Sequence, residues 1–119
     1  MAQKNVNADS KQTIFQKIEA DSSRLFFQNN LQEDISTIEN LFNYDYFYNG
    51  AGVGVEDINN DGLLDIFFCG NQVPNKLFLN KGNFVFEDIS EKARINEGKK
   101  WSNGVTFVDI NNDGWMDIY

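Results

Sequence analysis

Two stretches of this sequence are near copies of each other, and they decide the fold class. Residues 52–71 read GVGVEDINNDGLLDIFFCGN, and residues 104–119 read GVTFVDINNDGWMDIY. When residues 51–67 are aligned with residues 103–119, ten of 17 positions are identical at a single offset of 52 residues. A repeat with a fixed period predicts an array of similar structural units rather than one irregular domain.

One period of the repeat contains four short segments typical of β-strands. Apolar or alternating residues fill each segment, and turn residues such as Asn80-Lys81-Gly82-Asn83 separate them. The segments cover residues 52–57, 64–69, 76–79 and 84–89. Four strands in about 50 residues are the content of one propeller blade. We therefore predict an all-β fold, a β-propeller fragment with one complete four-stranded blade, the first half of the next blade and an N-terminal segment.

The composition and the repeat together predict four parts along the chain. They are a polar tail (residues 1–12), an N-terminal segment leading into the propeller (13–50), a first blade (51–100) and a truncated second blade (101–119). Because a propeller has about 4–8 blades, the chain is expected to be a fragment of a longer protein.

The N-terminal segment carries weaker patterns. Short strands are predicted over residues 13–18 and 24–28. Asp34 is predicted to cap a short helix with an apolar face formed by Ile35, Ile38, Leu41 and Phe42. An alternating row of aromatic residues then predicts a further strand, in which packing is favoured over stacking on sugar rings; the row consists of Phe42, Tyr44, Tyr46 and Tyr48.

Charge and residue usage exclude several function classes. The chain has 18 acidic residues against ten basic ones, a formal net charge of −8, which argues against a nucleic acid partner. It has no His and a single cysteine, Cys69, so the commonest general base, a cysteine zinc pair and an internal disulfide are all excluded. No apolar run is long enough for a membrane-spanning segment, and the first residues are too polar for a signal peptide. No convergent catalytic set stands out, so we expect no enzyme activity.

The repeated motif has the form D-x-N-x-D-G-x-x-D and predicts a calcium loop in each repeat. Oxygen-bearing side chains at positions 1, 3, 5 and 9 suit a hard cation that takes 6–8 oxygen ligands. Gly at position 6 permits a sharp turn, which would direct the backbone carbonyl of position 7 towards the ion. The candidate ligands are Asp57, Asn59, Asp61, Leu63 and Asp65 in the first loop, and Asp109, Asn111, Asp113, Trp115 and Asp117 in the second.

Other loop types share the first half of this motif. An EF-hand or a dockerin-like loop needs an acidic residue at position 12, but Phe68 occupies that position. An acid at position 9, at the entry to a strand, favours a calcium loop within a β-hairpin. The alternative is an Asp/Asn-rich turn that caps its own backbone without a metal. Three carboxylates within nine residues repel one another, and this repulsion favours the metal-binding interpretation.

From about Phe15 onwards the sequence resembles the bacterial FG-GAP/VCBS-repeat family. The stretches that carry the resemblance are YFYNG at 46–50, GVGVEDINNDGLLDIFFCGN at 52–71 and NKLFLNKGNFVFEDIS at 75–90. Similar proteins are common among the Bacteroidetes, often carry a C-terminal ASPIC/UnbV domain, and share their calcium loops with integrin α-subunits and cartilage acidic protein. The resemblance implies an exported calcium-binding β-propeller, with the loop between the first and second strands of a blade.

These observations lead to one functional expectation and two alternatives. We expect a calcium-binding propeller module, with two sites, of an extracellular, cell-surface or periplasmic protein that binds a protein or glycan partner. The localisation rests on the resemblance alone. The alternatives are a non-catalytic part of a propeller enzyme acting on polysaccharide, or a purely structural calcium module.

Overall fold

The computed structural model describes residues 14–95, 98 and 101–119, so the predicted polar tail at 1–12 lies outside the described residues. One short helix and six strands make up its regular structure. In chain order they are α1 (Ala20–Ser23), β1 (Val53–Glu56), β2 (Asp65–Phe68), β3 (Lys76–Asn80), β4 (Phe86–Asp88), β5 (Phe107–Val108) and β6 (Asp117–Ile118). In the part of the chain that is described, no helix is long and apolar enough to cross a membrane.

The first repeat forms an antiparallel sheet of four strands in the order β1-β2-β3-β4. Glu56 pairs with Asp65 at the end of the first hairpin, and Phe67 pairs with Leu77 across the second. Each strand therefore pairs with its neighbour in sequence, as in a meander connected by short turns. This arrangement confirms the predicted all-β architecture of a β-propeller fragment.

The strand β4 is shorter than the sequence pattern predicts. Asn83 and Phe84 both have positive φ angles, at 53° and 57°. The Lys81 N–H donates to the Val85 carbonyl at 2.7 Å, which closes a turn over the intervening residues. Phe84 therefore belongs to the turn and is 66% exposed. The strand itself begins only at Phe86.

The second repeat forms a two-stranded antiparallel sheet from β5 and β6. Phe107 pairs with Ile118, and Val108 pairs with Asp117. Thr106 and Tyr119 extend this ladder by exchanging two backbone hydrogen bonds of 2.8 and 2.9 Å. The second repeat thus reproduces the β1–β2 hairpin of the first repeat.

The core lies between the two repeats. Phe67, Cys69 and Leu77 form its buried centre, and Val105 and Phe107 of the second repeat pack against them. The two backbones come close together just before β1, where a Cβ atom at Gly52 would lie 2.7 Å from the Gly104 Cα atom. Glycine immediately before the first strand therefore allows the backbones of the two repeats to approach each other closely.

The N-terminal segment differs most from the sequence-based expectation. Strands are predicted over residues 13–18 and 24–28, but residues 14–18 and 24–28 form no strand. The helix α1 lies between these two ranges. Asp34 caps a turn rather than a helix, since its carboxylate accepts a hydrogen bond from the Ser36 N–H at 2.9 Å. The residues of the predicted helix face are exposed; they are Ile35, Ile38, Leu41 and Phe42.

The predicted aromatic strand is also wrong, because residues 41–43 and 45–48 form turns. The buried Asn40 amide organises the first of them, donating to the Thr37 carbonyl at 2.7 Å and accepting from the Phe42 N–H at 3.0 Å. Phe47 is fully buried, and its ring lies 5.3 Å from that of Trp101. The residues of the predicted alternating row remain exposed: Phe42, Tyr44, Tyr46 and Tyr48.

The N-terminal segment nevertheless packs on the first sheet. The Phe27 ring stacks on the Phe68 ring at a centroid distance of 4.8 Å. The Gln32 N–H donates to the Gln72 side-chain oxygen at 2.7 Å, and the Gln72 amide donates back to the Gln32 carbonyl at 3.1 Å. This segment therefore contacts the first repeat through an aromatic stack and several hydrogen bonds, which include one from the Asn71 N–H to the Asn29 side-chain oxygen at 2.8 Å.

Candidate metal centre

The two aspartate-rich motifs occupy equivalent places in the fold. Residues 57–64 connect β1 to β2, and residues 109–116 connect β5 to β6. Each connection closes an antiparallel hairpin, and Asp65 and Asp117 are the first residues of the strands that follow. Placement of the loop between the first and second strands of each repeat agrees with the expectation from the resemblance.

Side-chain oxygens of the first loop hold its backbone in a sharp turn. The Asp57 carboxylate accepts hydrogen bonds from the N–H groups of Asp61 (3.1 Å) and Gly62 (2.7 Å). The Asn59 side-chain oxygen also accepts from the Asp61 N–H at 3.1 Å, and the Asp61 carboxylate accepts from the Leu63 N–H at 2.8 Å. Three predicted ligands therefore lie on the inside of one tight turn, as Asp and Asn side chains commonly do in loops.

The turn depends on two residues with left-handed backbone conformations in each loop. Asn60 and Gly62 have φ angles of 56° and 83° in the first loop. Asn112 and Gly114 have φ angles of 58° and 87° in the second. Gly adopts this conformation without strain, and Asn tolerates it better than most residues.

The second loop repeats the hydrogen bonds of the first. The Asp109 carboxylate accepts from the N–H groups of Asp113 (3.0 Å) and Gly114 (2.9 Å). The Asn111 side-chain oxygen accepts from the Asp113 N–H at 3.0 Å, and the Asp113 carboxylate accepts from the Trp115 N–H at 2.9 Å. Two sequence copies therefore fold into two copies of one local structure.

Asp65 closes the first loop from the sheet side. It is 1% exposed, and its carboxylate accepts hydrogen bonds from the Asn80 N–H (2.8 Å) and the Ile58 N–H (3.1 Å). Burial raises the pKa of Asp65, while the two backbone hydrogen bonds act in the opposite direction. The negative charges of Asp61 and Asp57 raise this pKa further. Asp65 is thus a desolvated acid within the field of the other carboxylates of its loop, and a nearby cation would stabilise its charged form.

Asp117 makes only part of the corresponding contacts. Its carboxylate accepts from the Ile110 N–H at 3.1 Å, as Asp65 does from Ile58. It is half-buried, because no third strand covers β6 among the residues that the structure describes. In the first repeat that third strand is β3, which supplies Asn80.

The predicted ligands fit a hard cation by their donor chemistry. The Asp and Asn residues among them offer side-chain carboxylate or amide oxygens, and Leu63 and Trp115 would offer backbone carbonyl oxygens; oxygen is the ligand type that calcium takes. Across residues 14–95, 98 and 101–119, however, no three Asp, Glu, Cys or His side chains are close enough together to hold a metal ion. The carboxylates are instead engaged with loop N–H groups, and each retains further acceptor capacity. The chemistry and placement of the loops therefore suit calcium, while the ligand assignment stays a prediction.

The structure also adds two residues that the motif did not single out. Asn80 supports Asp65 through its backbone N–H, and its side-chain amide donates to the Leu64 carbonyl at 3.0 Å. Asn60 donates from its side-chain amide to the Gly114 carbonyl at 3.0 Å, which links the two loops. The Asn at position 4 of both motifs was visible in the sequence, but this contact depends on how the two repeats pack.

Comparison with known proteins assigns this repeat to a family. The family profile described as an FG-GAP-like repeat matches residues 57–119, which is just over half of the chain. The chain belongs to the FG-GAP-like repeat family. The match to this FG-GAP chain begins at the first residue of the first aspartate loop and includes both loops.

Curated relatives support the assignment. The FG-GAP chain is 33% identical to cartilage acidic protein 1 of Xenopus tropicalis over 92 residues, which cover 75% of this chain and 14% of that protein. It is 36% identical to cartilage acidic protein 1 of Homo sapiens over 69 residues, which cover 58% of this chain and 10% of that protein. It is 32% identical to integrin alpha-PS5 of Drosophila melanogaster over 81 residues, which cover 60% of this chain and 8% of that protein. The FG-GAP chain thus spans about a tenth of the length of these relatives.

Proposed function

We propose that this chain is a calcium-binding β-propeller module of an exported or cell-surface protein, and that it acts by binding a protein or glycan partner. The observation that carries the proposal is the buried carboxylate of Asp65, which accepts a hydrogen bond from the Ile58 N–H at the end of a β-hairpin whose turn is held by the carboxylates of Asp57 and Asp61. The second loop repeats this set of residues with Asp109, Asp113 and Asp117.

In the first loop, five residues would hold the ion, and the equivalent residues of the second loop would do the same. The side-chain oxygens of Asp57, Asn59 and Asp61 lie on the inside of the turn, and Leu63 would add its backbone carbonyl. Asp65 would complete the set from the start of β2. A bound calcium ion would supply positive charge that offsets the mutual repulsion of these carboxylates. The loop residues would then fix the relative positions of the ends of β1 and β2.

The proposed extracellular or cell-surface location of this protein rests on the family resemblance and on the set of predicted calcium ligands. Loops with this kind of ligand set in extracellular modules bind calcium at about 10⁻⁴–10⁻³ M. Sites of that affinity would be filled where calcium is abundant, outside the cytoplasm. The stretches 46–50, 52–71 and 75–90 further support a place in the bacterial VCBS-type branch that is associated with ASPIC/UnbV domains.

Binding is proposed rather than catalysis. The acidic residues of the two repeated motifs lie in the loops and at the start of the strands that follow, where their proposed task is to hold a cation. The thiol of Cys69 is 1% exposed, and burial raises its pKa, so it is unsuited to act as a nucleophile. The partner is accordingly proposed to contact the exposed loops, which are the usual sites of recognition on a rigid β-scaffold.

Calorimetry with calcium tests the proposal. We expect two calcium ions per chain and weaker binding of magnesium, which demands near-ideal octahedral geometry. Asp61→Asn removes one charge but keeps an oxygen that can accept from the Leu63 N–H, so it should weaken the first site without unfolding the loop. Asp45→Asn removes the same charge from an exposed turn outside both loops and should leave both sites intact. Absence of calcium binding at millimolar concentrations would contradict the proposal.

A further inference from the structure

The two aspartate loops are joined by one side chain. Asn60 lies at position 4 of the first loop, and its Nδ2 atom donates to the carbonyl oxygen of Gly114 at 3.0 Å. Gly114 lies at position 6 of the second loop, 54 residues further along the chain. The bond therefore connects equivalent turns of the two repeats directly.

Both ends of this hydrogen bond lie at points that define the shape of a loop. The N–H of Gly114 donates to the Asp109 carboxylate at 2.9 Å, so the Asn60 contact fixes the opposite side of the same glycine. Asn60 itself precedes Asp61, whose N–H donates to the Asp57 carboxylate at 3.1 Å. A change in the turn of one loop would therefore displace a group that the other loop uses.

The link is one-sided in its construction. Asn112, the equivalent of Asn60 in the second loop, has nearly the same φ angle, 58° against 56°. Its side-chain amide donates to no residue within the described part of the chain, whereas the Asn60 amide spans the two repeats. The chain thus contains a linked asparagine and a matched, unlinked one.

We propose that Asn60 couples the two aspartate loops, so that ordering one loop around a cation raises the affinity of the other. The statement about affinity rests on the proposed calcium-binding function. Coupling between sites is reciprocal, so the effect acts in both directions although only one residue carries it. Because a single exposed hydrogen bond contributes modestly, we expect a change in affinity of about two- to tenfold.

The test compares Asn60→Gly with Asn112→Gly in the 119-residue chain. Both variants place Gly at a left-handed position and remove the same amide, but only Asn60→Gly removes the bond to Gly114. In calcium titrations we expect positive coupling between the two sites in the parent chain and in Asn112→Gly. We expect two independent sites in Asn60→Gly. Equal coupling in the two variants would overturn the proposal.

A measurement without metal separates this inference from the proposed function. Amide hydrogen exchange in calcium-free protein should be faster at Asp113, Gly114 and Trp115 in Asn60→Gly than in Asn112→Gly. If this difference appears in a protein that binds no calcium, the calcium proposal fails and the structural coupling stands. If the exchange rates of the second loop are the same in both variants, the coupling is overturned even where calcium binds.

Discussion

The ring of Phe107 occupies the space that a side chain on Gly54 would need. A Cβ atom at Gly54 would lie 2.5 Å from the Phe107 Cε2 atom and 2.7 Å from a methyl carbon of Val105. Close packing leaves no room for such an atom unless neighbouring side chains move. The alternation of Gly and Val in β1 is therefore a packing requirement of the interface between the repeats.

Gly54→Ala should consequently destabilise the fold. Overpacking of this kind commonly costs about 1–3 kcal/mol of unfolding free energy. Gly104→Ala is a matched control, since a Cβ atom there would meet nothing within 4 Å. Urea unfolding monitored by tryptophan fluorescence should show a lower midpoint for Gly54→Ala only. Equal midpoints for the two variants would contradict this account of the interface.

Trp115 offers a specific reporter for the second loop. Terbium binds oxygen ligands as calcium does, and its emission can be sensitised by an indole close to the ion. We expect sensitised terbium emission from the parent chain. The variant Trp115→Leu, which gives the second loop the residue found at Leu63 in the first, should lose that emission and still bind calcium. Emission that persists in the variant would place the sensitised ion away from this loop.

Acid should weaken the hairpin formed by β3 and β4 through Asp88. Burial opposes ionisation of Asp88, but hydrogen bonds from Lys76 (2.6 Å) and Ser90 outweigh it and lower the pKa. A lowered folded-state pKa means that this stability is present above the unfolded value of about 3.9 and is lost as the pH falls through the folded value.

Unfolding free energies measured from pH 6 down to pH 2 check this prediction. Asp88→Asn should lower stability at pH 6 and flatten the decline below pH 4. The effect should be modest, because the Asp88 side chain is 37% exposed and solvent screens the ion pair. Asp45→Asn serves as the control, because it removes the same charge from an exposed turn outside this hairpin. An identical decline in both variants would rule out the assigned role of Asp88.

The exposed face of β1 predicts self-association. Val53 and Val55 are 58% and 51% exposed, whereas their repeat equivalents Val105 and Phe107 pack against the first repeat. An apolar surface of this kind favours association. Val53→Lys should lower the average mass measured by sedimentation at high protein concentration. Ile35→Lys, which removes an even more exposed apolar residue outside the sheets, should not.

The repeat made the sheets predictable, and the N-terminal segment lacked such a constraint. Strands β1 to β3 were predictable because their apolar runs lie between strong turn signals. The row of Tyr44, Tyr46 and Tyr48 alternates as a strand would, but the Asn40 side chain bonds the local backbone into turns. Such competition is decided by tertiary context, which a short aromatic pattern does not contain.

The candidate loops were predictable in position and in internal turn chemistry, since each bond joins residues a few positions apart. The contacts that cross between elements were not. Asn80 reaches Asp65 only because β3 pairs with β2, and Asn60 reaches Gly114 only because the repeats pack face to face. Spacing along the chain carries no signal for either contact.

The pairing of each strand with its sequence neighbour has a consequence for synthesis on the ribosome. All strand pairings of the β1–β4 meander join neighbours in sequence, so this sheet can form as soon as Asp88 has emerged. The face of β1 at Gly54 stays uncovered until Val105 and Phe107 have also emerged, because these two residues pack against it. A nascent chain that stalls between these two points would present an assembled sheet with an open face, the form most exposed to chaperones.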